Sequence, residues 1–288
     1  MTTRPTRIVD AHIHLWDPAR ADWYPYLSGG RDVGLGDVTG MARRFDMATY
    51  LEESAGWNVE KWVNVAAATG PHSIEETIEI DRTAETDGHP DAIVGGVTPT
   101  SSIAEAEAQI ERQLAAPRFR GVRPMGVFDG PLPPAGVLRA VQERDLLFEL
   151  MAHPDQLLSA ARGLAGFDDL VIVVEHAGWP RSDSPQEHAV WREGMAALAG
   201  LGERVVCKLS GLAMPLGSMT VDAFRPWVEQ SIELFGVDRC MFASNFPVDG
   251  MHGSLDELWS TYTELTAGFD GADRDQLFAG TAERVYAI

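Results

Sequence analysis

Eight short apolar runs, each followed by an amphipathic stretch, limit most tightly how this 288-residue chain can fold. The first four are RIVDAHIH (7–14), KWVNVAAA (61–68), AIVGGVTP (92–99) and FRGVRPM (119–125). LLFELMAH (146–153), LVIVVEHAG (170–178), RVVCKLSG (204–211) and RCMFASNF (239–246) follow. Near-continuous Val, Ile, Leu and Phe suit parallel strands covered on both faces, because an antiparallel strand with one wet face alternates instead. Between the runs, apolar residues recur at helical intervals over 101–115, 134–144, 155–165, 186–200, 220–236 and 255–267, and the closing segment 273–288 reads as a last helix. SIEETIEIDRTAE opens at Ser73 with Glu76 three residues on, the spacing of a capping box. Strand and helix alternating eight times predict an α/β fold, a single-domain (β/α)8 barrel over residues 1–288. An open doubly wound sheet is the rival, but no G-x-G-x-x-G follows the first run. One connection is too long for a simple turn: residues 15–47, rich in Gly, Pro and aromatics, are expected to form a lid or binding loop.

Charge narrows the partners. Forty-three acidic against 23 basic residues leave a net charge of −20, which disfavours nucleic acid and anionic membrane surfaces. Cys207 and Cys240 lie inside apolar runs and read as reduced core thiols. The first residues lack the apolar stretch of a secretory signal, and no segment has the length of a membrane span. A cytoplasmic protein is expected, with a homodimer possible because barrels often pair.

Polar residues gather at the strand ends. His12 and His14 are two apart on a strand and so project from one face. Arg123 ends the fourth run, His153 the fifth, and Glu175 and His176 the sixth; Lys208 and Ser210 lie on the seventh, with Ser244, Asn245 and Asp249 on and past the eighth. Carboxyl ends of barrel strands face one mouth, where reactions occur. Each desolvated polar group needs a partner, so such convergence would be wasteful in a plain core and points to an active site. His72, His89 and His188 sit in polar helical surroundings, and His252 lies near the expected mouth. Arg123 and Lys208, basic groups in an acidic chain, predict a small anionic substrate, since a planar guanidinium suits a carboxylate. Trp16, Trp23, Tyr24 and Tyr26 either close over a bound ring or pack beneath the long loop.

These residues resemble the amidohydrolase superfamily, in the amidohydrolase-2 branch that includes lactonases of the 2-pyrone-4,6-dicarboxylate, fuconolactone and sulfomuconolactone type. VDAHIHLWDP matches its D-x-H-x-H-x-W-D opening, HPDQL its fifth-strand signature and EHAGWP its sixth-strand motif. WREGMAALA, VVCKLSGLAMP, RCMFASNFPVDG and LFAGTAERVYAI agree in order. The resemblance implies a barrel that opens small cyclic esters, with His12 and His14 as the first-strand pair, His176 as the sixth-strand histidine and His153 where metal-binding relatives place a ligand. Asn245 departs from the superfamily's usual Asp, and a neutral amide cannot act as general base. Asp249, four residues on, either takes that role or caps the next helix through its Asp-Gly step.

Two hydrolytic routes follow. In one, His12, His14 and His153 hold a divalent ion, zinc or alternatively manganese. In the other, no metal is needed: the histidines and Arg123 polarise the carbonyl while His176 or Asp249 activates water. A metal-dependent decarboxylase of muconate-type or aromatic acids is the alternative enzyme. A barrel that only binds an acidic metabolite is the non-enzymatic one.

Overall fold

In the computed structural model, which describes residues 3–28, 38–126, 128–182 and 184–288, the apolar runs form one sheet of eight parallel strands in consecutive order. They are β1 (Ile8–Ile13), β2 (Val59–Val65), β3 (Ala92–Val97), β4 (Phe119–Pro124), β5 (Leu147–Leu150), β6 (Ile172–Val174), β7 (Val205–Leu209) and β8 (Cys240–Phe242). The sheet closes on itself past β8, where the Asn245 N–H donates to the His12 carbonyl and the His14 N–H to the Phe246 carbonyl, both at 2.8 Å. Helices flank the strands at His72–Asp87, Ile103–Gln113, Ala135–Gln142, Pro154–Leu164, Pro185–Ala199, Val221–Phe235 and Leu255–Leu265. This is the expected (β/α)8 barrel. Alternation along each strand splits the core in two. Ile172, Val174, Val205, Cys207, Leu209, Cys240 and Phe242 pack in one cluster with the helices, while Val9, Ala11, Leu147, Val173, Val206 and Met241 fill another, closed by Tyr286.

Several local readings are corrected. Ser73 starts no capping box: it lies inside the helix, and its hydroxyl donates to the Gly70 carbonyl at 2.8 Å. Glu76 instead accepts from the free N–H groups of Ala67 and Ala68 beyond β2 (2.8 and 3.0 Å) and from the Tyr24 hydroxyl at 2.8 Å. The sixth and eighth strands stop short of their apolar runs. Beyond Val174 and Phe242 the chain enters left-handed turns at His176, Ala177, Trp179 and Asn245 (φ 49–56°).

The described parts of the 15–47 connection are ordered by pairing and burial; its middle, 29–37, lies outside the described residues. Trp16 and Phe45 exchange backbone bonds at 2.9 and 3.0 Å, and a helix unforeseen in the sequence, Met47–Glu53, starts at its cap Asp46. Trp16, Trp23, Tyr24 and Tyr26 are all buried. Trp16, Tyr24 and Tyr26 pack against one another, with ring centroids 6.2–6.5 Å apart.

Candidate active site

β1 delivers its histidines through a slip in register. Asp10 lies opposite Trp62 and Ile13 opposite Asn64, so three steps on β1 meet two on β2. Such a bulge re-aims the side chains that follow it. Asp10 accordingly turns to the surrounding helices, accepting from the Tyr50 hydroxyl (2.6 Å), and straps the bulge by accepting from the N–H groups of Ser244 (2.8 Å) and His12 (3.3 Å). His12, two residues on, turns inward to Lys208. His12 and His14 do project together, with Nε2 atoms 3.2 Å apart.

The strained turn after β6 brings His176 to the same place, its ring 4.7 Å from that of His12. Left-handed conformations in non-glycine residues cost about 1–3 kcal/mol each and persist only where surrounding structure enforces them. Here the Trp191 indole N–H donates to the Ala177 carbonyl at 2.6 Å, and Ser210 Oγ meets His176 Nδ1 at 2.9 Å. Gly211, itself at φ +63°, lies so near that a Cβ there would come within 2.3 Å of the imidazole. The β7 turn therefore fits only glycine against His176.

Glu175 and Arg123 complete the mouth without completing their bonding. The guanidinium lies 3.6 Å from the carboxylate, which is 3.5 Å from His176 Nε2. Among the described residues, Arg123 Nε and Nη1 and both Glu175 oxygens are buried without a hydrogen-bond partner. Among the same residues, Arg123 Nη2 has only the Met151 sulfur, at 3.5 Å. His12, Glu175 and His176 can each place a ligand atom within 4.8 Å of the others, a set able to hold a metal ion.

Asn245 and Asp249 form a unit beside His14. Asn245 Nδ2 donates to Asp249 Oδ1 at 3.0 Å, and the Ala213 N–H to Oδ2 at 3.3 Å. The cap of the next long helix is Ser254, not Asp249. Burial sets the electrostatics throughout. It holds His12 and His176 well below the ordinary imidazole range and His14 down to about 3, so all three are neutral. It also pushes Glu175 up to about 7, against the pull of Arg123, and Asp249 up to about 7, against its amide donors.

The remaining sequence-selected residues are distributed as follows. Lys208 is wholly buried, with Nζ 2.8 Å from each Glu149 oxygen and 3.3 Å from His12 Nδ1. Trp16 stacks on His14 (5.8 Å between rings) and donates its indole N–H to the Arg43 carbonyl. His153 stands outside the His12–Glu175–His176 group, exposed at the start of helix Pro154–Leu164 with its ring 6.2 Å from Trp179. His252 is exposed; His72 pairs with Glu75, His188 with Gln230, and His89 packs on Trp62. Glu149 is the partner that sequence reasoning missed. Its signal was a lone acid inside an apolar strand, which demands a buried cation.

A strained barrel mouth lined by neutral imidazoles and an unsatisfied guanidinium–carboxylate pair is the arrangement of an enzyme site rather than a packed core. The chain belongs to the amidohydrolase family, whose model matches residues 9–288. It is 31% identical over 297 residues to an uncharacterised protein, y4mH, of Sinorhizobium fredii, with 98% of each chain covered. It is 29% identical over 298 residues to an L-fucono-1,5-lactonase of Burkholderia ambifaria, covering 97% of this chain and 95% of the relative. The barrel superposes on an amidohydrolase crystal structure from Burkholderia multivorans with bound HEPES at a TM-score of 0.81 and 24% identity, over 98% of this chain and 100% of the other. A second crystal form of that description carries bound zinc and gives a TM-score of 0.80 at the same identity and coverage. No helix among the described residues is long and apolar enough to cross a membrane.

Proposed function

We propose that this protein hydrolyses a small carboxylated lactone at the barrel mouth. The observation that carries the reading is the Arg123–Glu175 pair, buried at 3.6 Å with donors and acceptors left unmade. Leaving such groups unpaired costs about 1–3 kcal/mol apiece, a cost that a bound substrate carboxylate removes for the Arg123 donors. The substrate's carboxylate takes the free Arg123 N–H groups as a bidentate acceptor, which orients the ring ester towards the histidines. The lactonase relative in Burkholderia ambifaria supports ring-ester hydrolysis as the reaction class.

Hydrolysis needs a base for the attacking water and a donor for the oxyanion. Asp249 serves as the base. Its partners are amide donors, with no cation among the described residues that pairs with it, and its value near 7 suits proton abstraction at neutral pH. Asn245 orients that carboxylate, which answers the departure seen at this position. His176, fixed by Ser210, and the His12–His14 pair line the carbonyl's side of the site.

Two imidazoles and a carboxylate also fit a divalent cation, so His12, Glu175 and His176 would hold zinc, a metal bound in one crystal form of the Burkholderia multivorans relative. A bound cation would supply Lewis-acid polarisation of the ester carbonyl.

The test is lactone turnover by the purified protein, with and without chelator, alongside His176→Ala. Ring opening that disappears in the variant supports the reading. Carbon dioxide release without ring opening, or no turnover of any carboxylated lactone, removes it.

A further inference from the structure

Behind the mouth, His12 is backed by three buried polar groups, Lys208, Glu149 and Tyr286, that the proposed hydrolysis does not use. Lys208, Glu149, Tyr286 and His12 are all fully buried. An ammonium has three N–H donors and no lone pair. Lys208 has three acceptors in reach: both Glu149 oxygens at 2.8 Å and His12 Nδ1 at 3.3 Å. Glu149 is held in turn by the Tyr286 hydroxyl, which donates to Oε1 at 2.5 Å. At the other end, His14 Nδ1 faces the Val65 carbonyl at 2.8 Å, and a carbonyl can only accept.

Both ends therefore set the same direction. Lys208 must donate to His12 Nδ1, so the neutral His12 ring carries its proton on Nε2. His14 must donate from Nδ1, so its Nε2 is bare. The two Nε2 atoms, 3.2 Å apart, are then donor and acceptor. We propose that Lys208, anchored by Glu149 and Tyr286, is a positioning residue that fixes the His12 tautomer, locks the first-strand histidines to each other and opposes cation binding between them. A cation shared by the pair needs two lone pairs where this arrangement provides one. To supply the second, the proton must move to Nδ1, against the ammonium. Lys208 thus makes metal uptake at His12 a competition, in a site whose donor types otherwise fit a metal.

The inference rests on the proposed site but is tested without turnover. Long-range ¹H–¹⁵N correlation spectra of the full-length, metal-stripped protein report which nitrogen of each histidine is protonated. Expected are Nε2–H for His12 and Nδ1–H for His14. The charge-neutral double variant Lys208→Met/Glu149→Gln should populate Nδ1–H at His12 and bind zinc roughly tenfold more tightly by calorimetry, the scale on which groups behind metal ligands act. Nδ1–H at His12 in the wild type overturns the proposal, as does an unchanged tautomer and zinc affinity in the double variant. If that variant does not fold, the wild-type spectrum decides alone. The expected spectrum from a protein that opens no lactone would defeat the hydrolase reading and uphold this one.

Discussion

Arg7 and Arg123 sit near opposite ends of the barrel and use the same chemistry to opposite ends. Before β1, Arg7 donates to both Asp275 oxygens at 2.7 and 2.8 Å and to Glu283 at 2.6 Å, while Lys61 takes the other Glu283 oxygen at 2.7 Å. Every charged atom in that cluster is close to its partner. At the end of β4, Arg123 faces Glu175 across 3.6 Å, more deeply buried yet without a hydrogen bond to it. A fold under selection for stability alone would close that gap, because burial makes the unpaired state costlier than at the surface. The contrast separates a pair that joins the C-terminal helices to the barrel from one held open for a guest.

Breaking the mouth should cost activity before stability. The largest effect is expected for Asp249→Asn, which removes the proposed base: kcat/KM should fall by about 10² to 10⁴. In the wild type the active form is the carboxylate, so kcat/KM should rise with pH through about 7 and level off above it. In the variant that limb should vanish from the pH–rate profile. Retention of the same limb would remove Asp249 from the chemistry.

Arg123→Met should come next, with kcat/KM for a carboxylated lactone down roughly 100-fold from the loss of two charge-assisted bonds. Its thermal midpoint should fall, because Glu175 is left buried without the cation that favours its carboxylate. Gly211→Ala should follow. Its new methyl group meets the His176 ring, and the expected signature is a fall in kcat with little change in KM.

The smallest effect falls at the other end. Arg7→Met should lower stability by about 1 kcal/mol with turnover unchanged, since part-exposed ion pairs contribute modestly. The pH dependence of that loss has a definite sign. Bonding to Arg7 holds Asp275 below its ordinary value, so the stabilisation is present above about pH 4 and fades as pH falls through the folded value. Urea midpoints of wild type and Arg7→Met should therefore converge in acid. A constant gap down to low pH would mean that packing, not charge, carries the effect.

What could be read from the chain follows the same division. Strand and helix order was legible because apolar periodicity is local. The inward pairing of His12 with His14 was legible because it needs only the two-residue repeat of a strand. The bulge that aims them was not, since it arises from the pairing of β1 with β2. Lys208 read as a substrate contact because the sequence shows a lysine near a strand end but not Glu149 across the barrel. His153 read as a neighbour of the first-strand pair because it follows β5, whereas the chain there has already turned into a helix. The left-handed turns at His176 and Asn245 were hidden inside apolar runs that look like strand to their last residue. Asp249 was visible, but its link to Asn245 depends on the turn between them.

The central claim is that the open pair at the mouth waits for a substrate carboxylate. It is tested most directly by kcat/KM for two lactones that differ only in carrying a carboxylate or its carboxamide, measured in wild type and Arg123→Met. Preference for the carboxylate by at least about tenfold in the wild type, erased in the variant, is the predicted result. Equal turnover of both lactones, or a preference that survives loss of the guanidinium, would contradict it.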